Sequence, residues 1–193
     1  IAGGNKKAVF ELAQNNNDLD YRVFPLENPE QTAKYLDDIT VVLNCAGPFQ
    51  FTAEVMALAC ISKGIHYTDI TGEITVFEFL KEFDEKAKKA GIMIMPGTGF
   101  DVVPSDCLAA MLKEKMPDAK NLELAFTNIC GGVSQGTAAT AIENLGKKNL
   151  VRVNGYLKEV PMGKLNKWKN FGEKKRHTVA IPWEDLSTAF TST

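Results

Sequence analysis

Three carboxylates stand where chemistry is expected. Asp69, Glu73 and Asp101 fall at or just beyond the ends of predicted strands, the edge along which parallel sheets gather their active sites. Each is suited to act as a general acid or a substrate anchor, and equally to serve as a helix cap or a surface group. Cys130 precedes a Gly-rich turn into a predicted helix, whose N-terminus could lower a thiol pKa. Paired with His66 or His177 it would suit acyl transfer, although buried structural cysteine is the commoner outcome in an apolar stretch. The two histidines lie far apart in sequence, with no H-x-x-x-H and no C-x-x-C, so no metal site is expected.

Two turns have the composition of a ligand cradle. The first is Asn44-Cys45-Ala46-Gly47-Pro48, between an apolar strand and an amphipathic stretch. The second is Gly131-Gly132-Val133-Ser134-Gln135-Gly136-Thr137, which lacks the Walker lysine and the dinucleotide spacing and reads equally as a tightly packed helix start. No G-x-G-x-x-G occurs anywhere. If the chain is a dinucleotide-binding domain, its first strand and glycine loop lie upstream of Ile1, and Ile1-Ala2 ends the second strand. The following turn then meets the adenosine ribose. It reads Gly3-Gly4-Asn5-Lys6, with no acid to favour a free 2′-hydroxyl, so the phosphate of NADP is tolerated there.

The elements that position these residues alternate along the chain. Asn5 is expected to cap a helix from Lys6 to about Gln14, followed by a short strand at Tyr21–Phe24. Asn28-Pro29-Glu30 opens a helix to about Leu36. Ile39–Leu43, wholly apolar or β-branched, predicts a strand buried on both faces. A helix over Phe51–Lys63, a strand over Ile65–Ile70, one long helix over Val76–Ala90, a strand over Ile92–Met95 and a helix over Ser105–Lys115 follow. This alternation predicts βαβ units and a doubly wound parallel α/β sheet, which as a dinucleotide-binding domain would be Rossmann-like and lack its first strand. After Pro117 the pattern changes to a strand over Leu122–Ile129, a helix over Ser134–Leu145, and a hairpin over Val151–Leu157 on an Asn-Gly turn. A strand over Thr178–Trp183 and a short helix over Glu184–Phe190 close the chain. If the chain is a dinucleotide-binding protein, residues 1–120 are that domain, N-terminally incomplete, and residues 121–193 start a second domain of α+β type.

Composition narrows the function class. A chain of 193 residues with 45% apolar and 24% charged residues is an ordinary globular protein. A net charge of -2 gives no reason to expect nucleic acid or an anionic membrane as partner. The four scattered cysteines suit a reduced, cytoplasmic setting, and the start at Ile1 without methionine suggests a fragment.

Several motifs together resemble one family. Asn44-Cys45-Ala46-Gly47-Pro48-Phe49, Ala59-Cys60, Gly64, His66-Tyr67 and Asp69-Ile70-Thr71-Gly72-Glu73 look like the central run of the saccharopine dehydrogenase-like oxidoreductases. Gly99 to Asp106, Gly131 to Thr137, and Ile181-Pro182-Trp183 with Ser187-Thr188 resemble later motifs of that family in order. The similarity is to the bacterial saccharopine reductase-like and trans-acting enoyl reductase-like subgroup.

The resemblance implies an NAD(P)-dependent oxidoreductase, with hydride transfer between NADP or NAD and a small organic substrate. It places Gly3, Gly4 and Asn5 at the adenosine, and Asn44, Cys45, Ala46, Gly47 and Pro48 at the nicotinamide ribose. Asp69, Glu73, Phe100 and Asp101 would face the substrate cleft, with no proton donor named. Gly4 stands where the family commonly has arginine, which leaves NADP and NAD both open. With only Arg22, Arg152 and Arg176, a tricarboxylate substrate is disfavoured. A homodimer is a further expectation. The alternatives are a non-catalytic dinucleotide-binding scaffold and a short-chain dehydrogenase. The second fails, because the tyrosines are followed four residues on by Pro25, Ile39, Thr71 and Val160 and never by lysine.

Overall fold

The computed structural model describes residues 1–129, 131 and 148–193. Cys130, Gly132 to Thr137 and the helix expected over 134–145 lie outside the described residues. The chain divides into two compact units, Ile1–Pro104 and Ser105–Thr193.

In the first unit, short parallel strands alternate with helices. The order is β1 Ala2–Gly3, α1 Lys6–Gln14, β2 Arg22–Val23, α2 Pro29–Ala33, β3 Val41–Asn44, α3 Phe49–Lys63, β4 His66–Asp69, α4 Ile74–Lys81, α5 Asp84–Ala90 and β5 Ile94–Met95. The chain then enters α6, Val103–Lys115. Local chemistry sets the helix ends. The side chain of Asn5 accepts from the Ala8 amide at 3.1 Å, and that of Asn28 from Glu30 and Gln31 at 2.9 and 3.1 Å, with Pro29 at the first helical position. Gly64, at φ 68°, takes the left-handed conformation that ends α3.

β1 pairs with β2, and β3, β4 and β5 pair in that order, all parallel. This is the Rossmann-like α/β arrangement the alternation predicts. Register brings Val42 beside Tyr67 and Asn44 beside Asp69, so these four share one face of the sheet. The core of the unit joins α2, α3, β4 and α4 through Ala33, Leu36, Ala53, Met56, Ala57, Cys60, Tyr67, Val76, Leu80 and Phe83.

Two expectations are corrected in this unit. β3 is not buried on both faces. Val41 and Leu43 are 52% and 58% exposed, because the described residues cover only the face carrying Val42 and Asn44. The long helix over Val76–Ala90 is two helices. Phe83, buried and edge-on to Phe79 at 4.9 Å, turns into the core at φ −90°, ψ 0° and breaks the helical path.

The second unit contains two hairpins and a helix. β6 Asn149–Val153 and β7 Tyr156–Val160 turn at Asn154-Gly155, where φ is 52° and 82°, as an Asn-Gly hairpin requires. β8 Asn166–Asn170 pairs with β9 Lys175–Val179, and α7 spans Asp185–Ser192. Buried Asn149 donates to the Ala180 carbonyl at 2.7 Å. Arg152 donates to the Leu186 and Gly155 carbonyls at 2.5 and 2.7 Å and lies over the Phe190 ring. Lys167 and Lys169 both bond Glu123 and hold its carboxyl down at about 2. On so exposed a pair this contributes little stability.

The strand expected over Leu122–Ile129 has no ladder partner among the described residues and is irregular chain. The strand expected over Thr178–Trp183 is shifted to Lys175–Val179. Pro182, having no N–H, cannot extend the ladder.

Candidate functional site

The site is built where β3, β4 and β5 end. Asn44, 4% exposed, closes β3 and organises the turn behind it. Its Oδ1 accepts from the Ala46 amide at 3.0 Å, while its Nδ2 donates to Thr52 Oγ1 at 3.3 Å and to the Tyr67 hydroxyl at 3.4 Å. Thr52 Oγ1 donates in turn to the Ala46 carbonyl at 2.6 Å. One buried asparagine thus fixes both the N–H and the C=O of Ala46, directly and through Thr52. Cys45, Ala46, Gly47 and Pro48 face solvent on this support.

Alternate residues of the next segment form a relay. Tyr67, fully buried, donates its hydroxyl to Asp69 Oδ2 at 2.7 Å. Asp69 Oδ1 accepts from the Thr71 amide at 2.9 Å and the Gly97 amide at 2.8 Å. Thr71 Oγ1 accepts from the Glu73 amide at 3.1 Å. Glu73 then reaches back 24 residues: its Oε1 accepts from the Phe49 amide at 2.8 Å, and its Oε2 from Gln50 at 2.9 Å. Those amides open α3, whose own N-cap, Pro48, supplies no side-chain bond.

Electrostatics follow from burial. Desolvation pushes the Asp69 carboxyl above its usual range, against the pull of the Gly97 and Thr71 amides and the Tyr67 hydroxyl. Burial, then the Asp69 charge, raises the Tyr67 phenol. Cys60, on the buried face of α3, has its thiol pushed up to about 12 and is an inert packing group.

The expected substrate-cleft carboxylates are therefore placed differently from one another. Asp69 is wholly buried, and both its oxygens accept bonds within the chain. Glu73 caps α3. Phe100 is 87% exposed just before α6, and Asp101 is exposed beside it. His66 Nδ1 accepts from the Met93 amide at 3.0 Å, and His177 Nε2 meets Asn166 Oδ1 at 3.0 Å in the second unit, so both serve local structure. No group of metal-ligating side chains occurs among the described residues.

At the end of β1, Gly3 is held close to α1, and a Cβ there would lie 2.9 Å from Val9 Cγ2. Gly4 has room, since its Cβ would stand 3.8 Å from the nearest heavy atom, the Phe24 carbonyl oxygen. Asn5 uses its side-chain oxygen as the α1 cap, and the first turn of α1 carries no acid.

Comparison with known proteins gives this geometry its family. Residues 1–95 match the saccharopine dehydrogenase NADP binding domain. A bovine saccharopine dehydrogenase-like oxidoreductase is 33% identical over 146 residues, 71% of this chain and 34% of that protein. A Mycobacterium tuberculosis protein named as a trans-acting enoyl reductase is 32% identical over 111 residues, 54% of this chain and 26% of its own. The chain belongs to the saccharopine dehydrogenase-like family.

A solved yeast saccharopine dehydrogenase of the L-Glu-forming type shares the fold, with a TM-score of 0.61 at 14% identity, over 94% of this chain and 43% of that one. The chain spans about a third of the curated relatives' length (34% and 26% for the two above).

As a saccharopine dehydrogenase-like chain, it carries an NADP-binding domain, and the residues present fit the group. The first turn of α1 presents Lys6 and Lys7 and no carboxylate, which suits a 2′-phosphate, and the exposed turn after β3 is rigidly supported from below. Sequence reading missed Thr52, Tyr67 and Thr71 as supports of the site. The period-2 run of polar side chains at Tyr67, Asp69, Thr71 and Glu73 was the available signal. No helix among the described residues is long and apolar enough to cross a membrane.

Proposed function

We propose that this protein is an NADP-dependent oxidoreductase that transfers hydride between nicotinamide and a small organic substrate. The observation that carries this reading is the exposed turn Cys45–Pro48, held from beneath by Asn44 and Thr52 at the carboxyl end of a parallel sheet. In this reading the turn positions the nicotinamide end of the cofactor, and Gly3, Gly4 and Asn5 border the adenosine. Residues 1–120 form the cofactor domain, and 121 onward begins the substrate domain. NADPH supplies the hydride when bound.

The chain's own residues bind and position. The held N–H and C=O of Ala46 keep the turn in one conformation. Asp69, by holding the Thr71 and Gly97 amides, ties the ends of β4 and β5 to the same frame. Phe100 and Asp101, exposed ahead of α6, border the substrate side. A cytoplasmic setting belongs to the same reading, supported by the free thiols of Cys45, Cys60 and Cys107.

The test is a fluorescence titration of the full-length protein with NADPH. It is followed by transfer of deuterium from labelled NADPH to a panel of carbonyl, imine and enoyl acceptors. Binding and transfer are expected. Binding with no transfer to any acceptor would leave a dinucleotide-binding scaffold, and no binding would overturn the reading.

A further inference from the structure

We propose that Glu73 sets the charge specificity of the β3–α3 turn, so that the turn admits an uncharged or cationic ligand group and rejects a phosphate. This rests on the placement of the nicotinamide end at that turn. α3 is a 15-residue helix whose first amides carry the partial positive charge of the helix end. In many nucleotide-binding folds such an end holds a ligand phosphate. Here the carboxylate of Glu73 takes that place, one oxygen on the Phe49 amide and the other on Gln50, at 2.8 and 2.9 Å. It is a built-in anion, delivered by a side chain whose own backbone is fixed by Thr71 and, through Thr71, by Asp69.

The consequence is electrostatic as well as steric. A second anion at the start of α3 would find both amides occupied and a full negative charge within contact distance. The nicotinamide end of NADP passes this filter, because the reduced ring is neutral and the oxidised ring carries one positive charge. The pyrophosphate does not pass, so the cofactor's charged centre must be held elsewhere. A substrate reaching this turn must likewise present a group without a phosphate.

The probe is inorganic phosphate, titrated into the 15N-labelled full chain against chloride at equal ionic strength, with the Phe49 and Gln50 amide signals followed. The parent is expected to bind phosphate at those amides only weakly. Glu73→Ala is expected to bind phosphate at those amides about tenfold more tightly than the parent. If Glu73→Ala does not fold, Glu73→Gln, which keeps one acceptor oxygen without the charge, carries the same comparison with a gain of about threefold. Equal phosphate affinity in parent and variant overturns the proposal. No cofactor is needed, so a failed NADPH titration would refute the cofactor placement while leaving this result readable.

Discussion

Replacing Asp69 by alanine should damage the first unit more than any change to its exposed carboxylates. The side chain is fully buried and accepts three bonds, from the Thr71 amide, the Gly97 amide and the Tyr67 hydroxyl. Alanine leaves all three donors without their acceptor. At roughly 1–3 kcal/mol for each buried orphan, offset where water can enter, the loss is about 3–6 kcal/mol. Asparagine is milder. Its carbonyl oxygen still takes the two amides, but its NH2 now faces a Tyr67 oxygen that already receives Asn44, leaving one hydroxyl proton unplaced. That costs about 1–2 kcal/mol. Trp168 and Trp183 both lie in the second unit, so tryptophan fluorescence would miss the effect. Urea unfolding by far-UV circular dichroism, with hydrogen exchange at Thr71 and Gly97, reads the right place. An alanine variant within about 1 kcal/mol of the parent, with unchanged protection at those amides, would refute the relay.

Three further predictions concern the same unit. Burial raises Asp69 above its ordinary 3.8, so the folded state holds the proton more tightly than the unfolded one. That contribution is full at low pH and is lost as pH rises from about 3.8 through the folded pKa. Parent-minus-variant stability against pH should therefore fall across that window for Asp69→Asn, and a flat difference would contradict it. Gly3→Ala should cost about 1–2 kcal/mol through the 2.9 Å approach to Val9, and Val9→Ala in the double variant should restore most of it, as thermal unfolding would show. Gly4→Arg has room for its side chain and should raise the NADPH-to-NADH affinity ratio about tenfold, measured by calorimetry.

Much of the frame was legible because it is local. Asn28-Pro29-Glu30 and Asn154-Gly155 each specify their structure within three residues, and the alternation of apolar strands with longer helices fixes parallel pairing. What was not legible depends on distant partners. β8 reads Asn-Lys-Trp-Lys-Asn, with no apolar alternation, and is a strand only because β9 pairs with it. Leu122–Ile129 has the composition of a strand but no neighbour to pair with among the described residues. In the site, Asn44 was recognisable from its place after an apolar strand. Glu73 was recognisable as a site group or a helix cap, but not as the cap of α3, because the amides it binds lie up to 24 residues earlier in the chain.

The central claim is that the nicotinamide end of the cofactor lies over the turn after β3, and Gly47 tests it most directly. Gly47 is exposed, and an added Cβ would meet nothing closer than the Phe49 ring at 3.6 Å, so a large side chain projects outward without disturbing the core. Calorimetric titration of NADPH into the full-length protein and its Gly47→Trp variant, with circular dichroism and thermal unfolding alongside, is the measurement. The account predicts a loss of NADPH affinity of about a hundredfold or more with an unchanged fold. Equal affinity in the two proteins would contradict it.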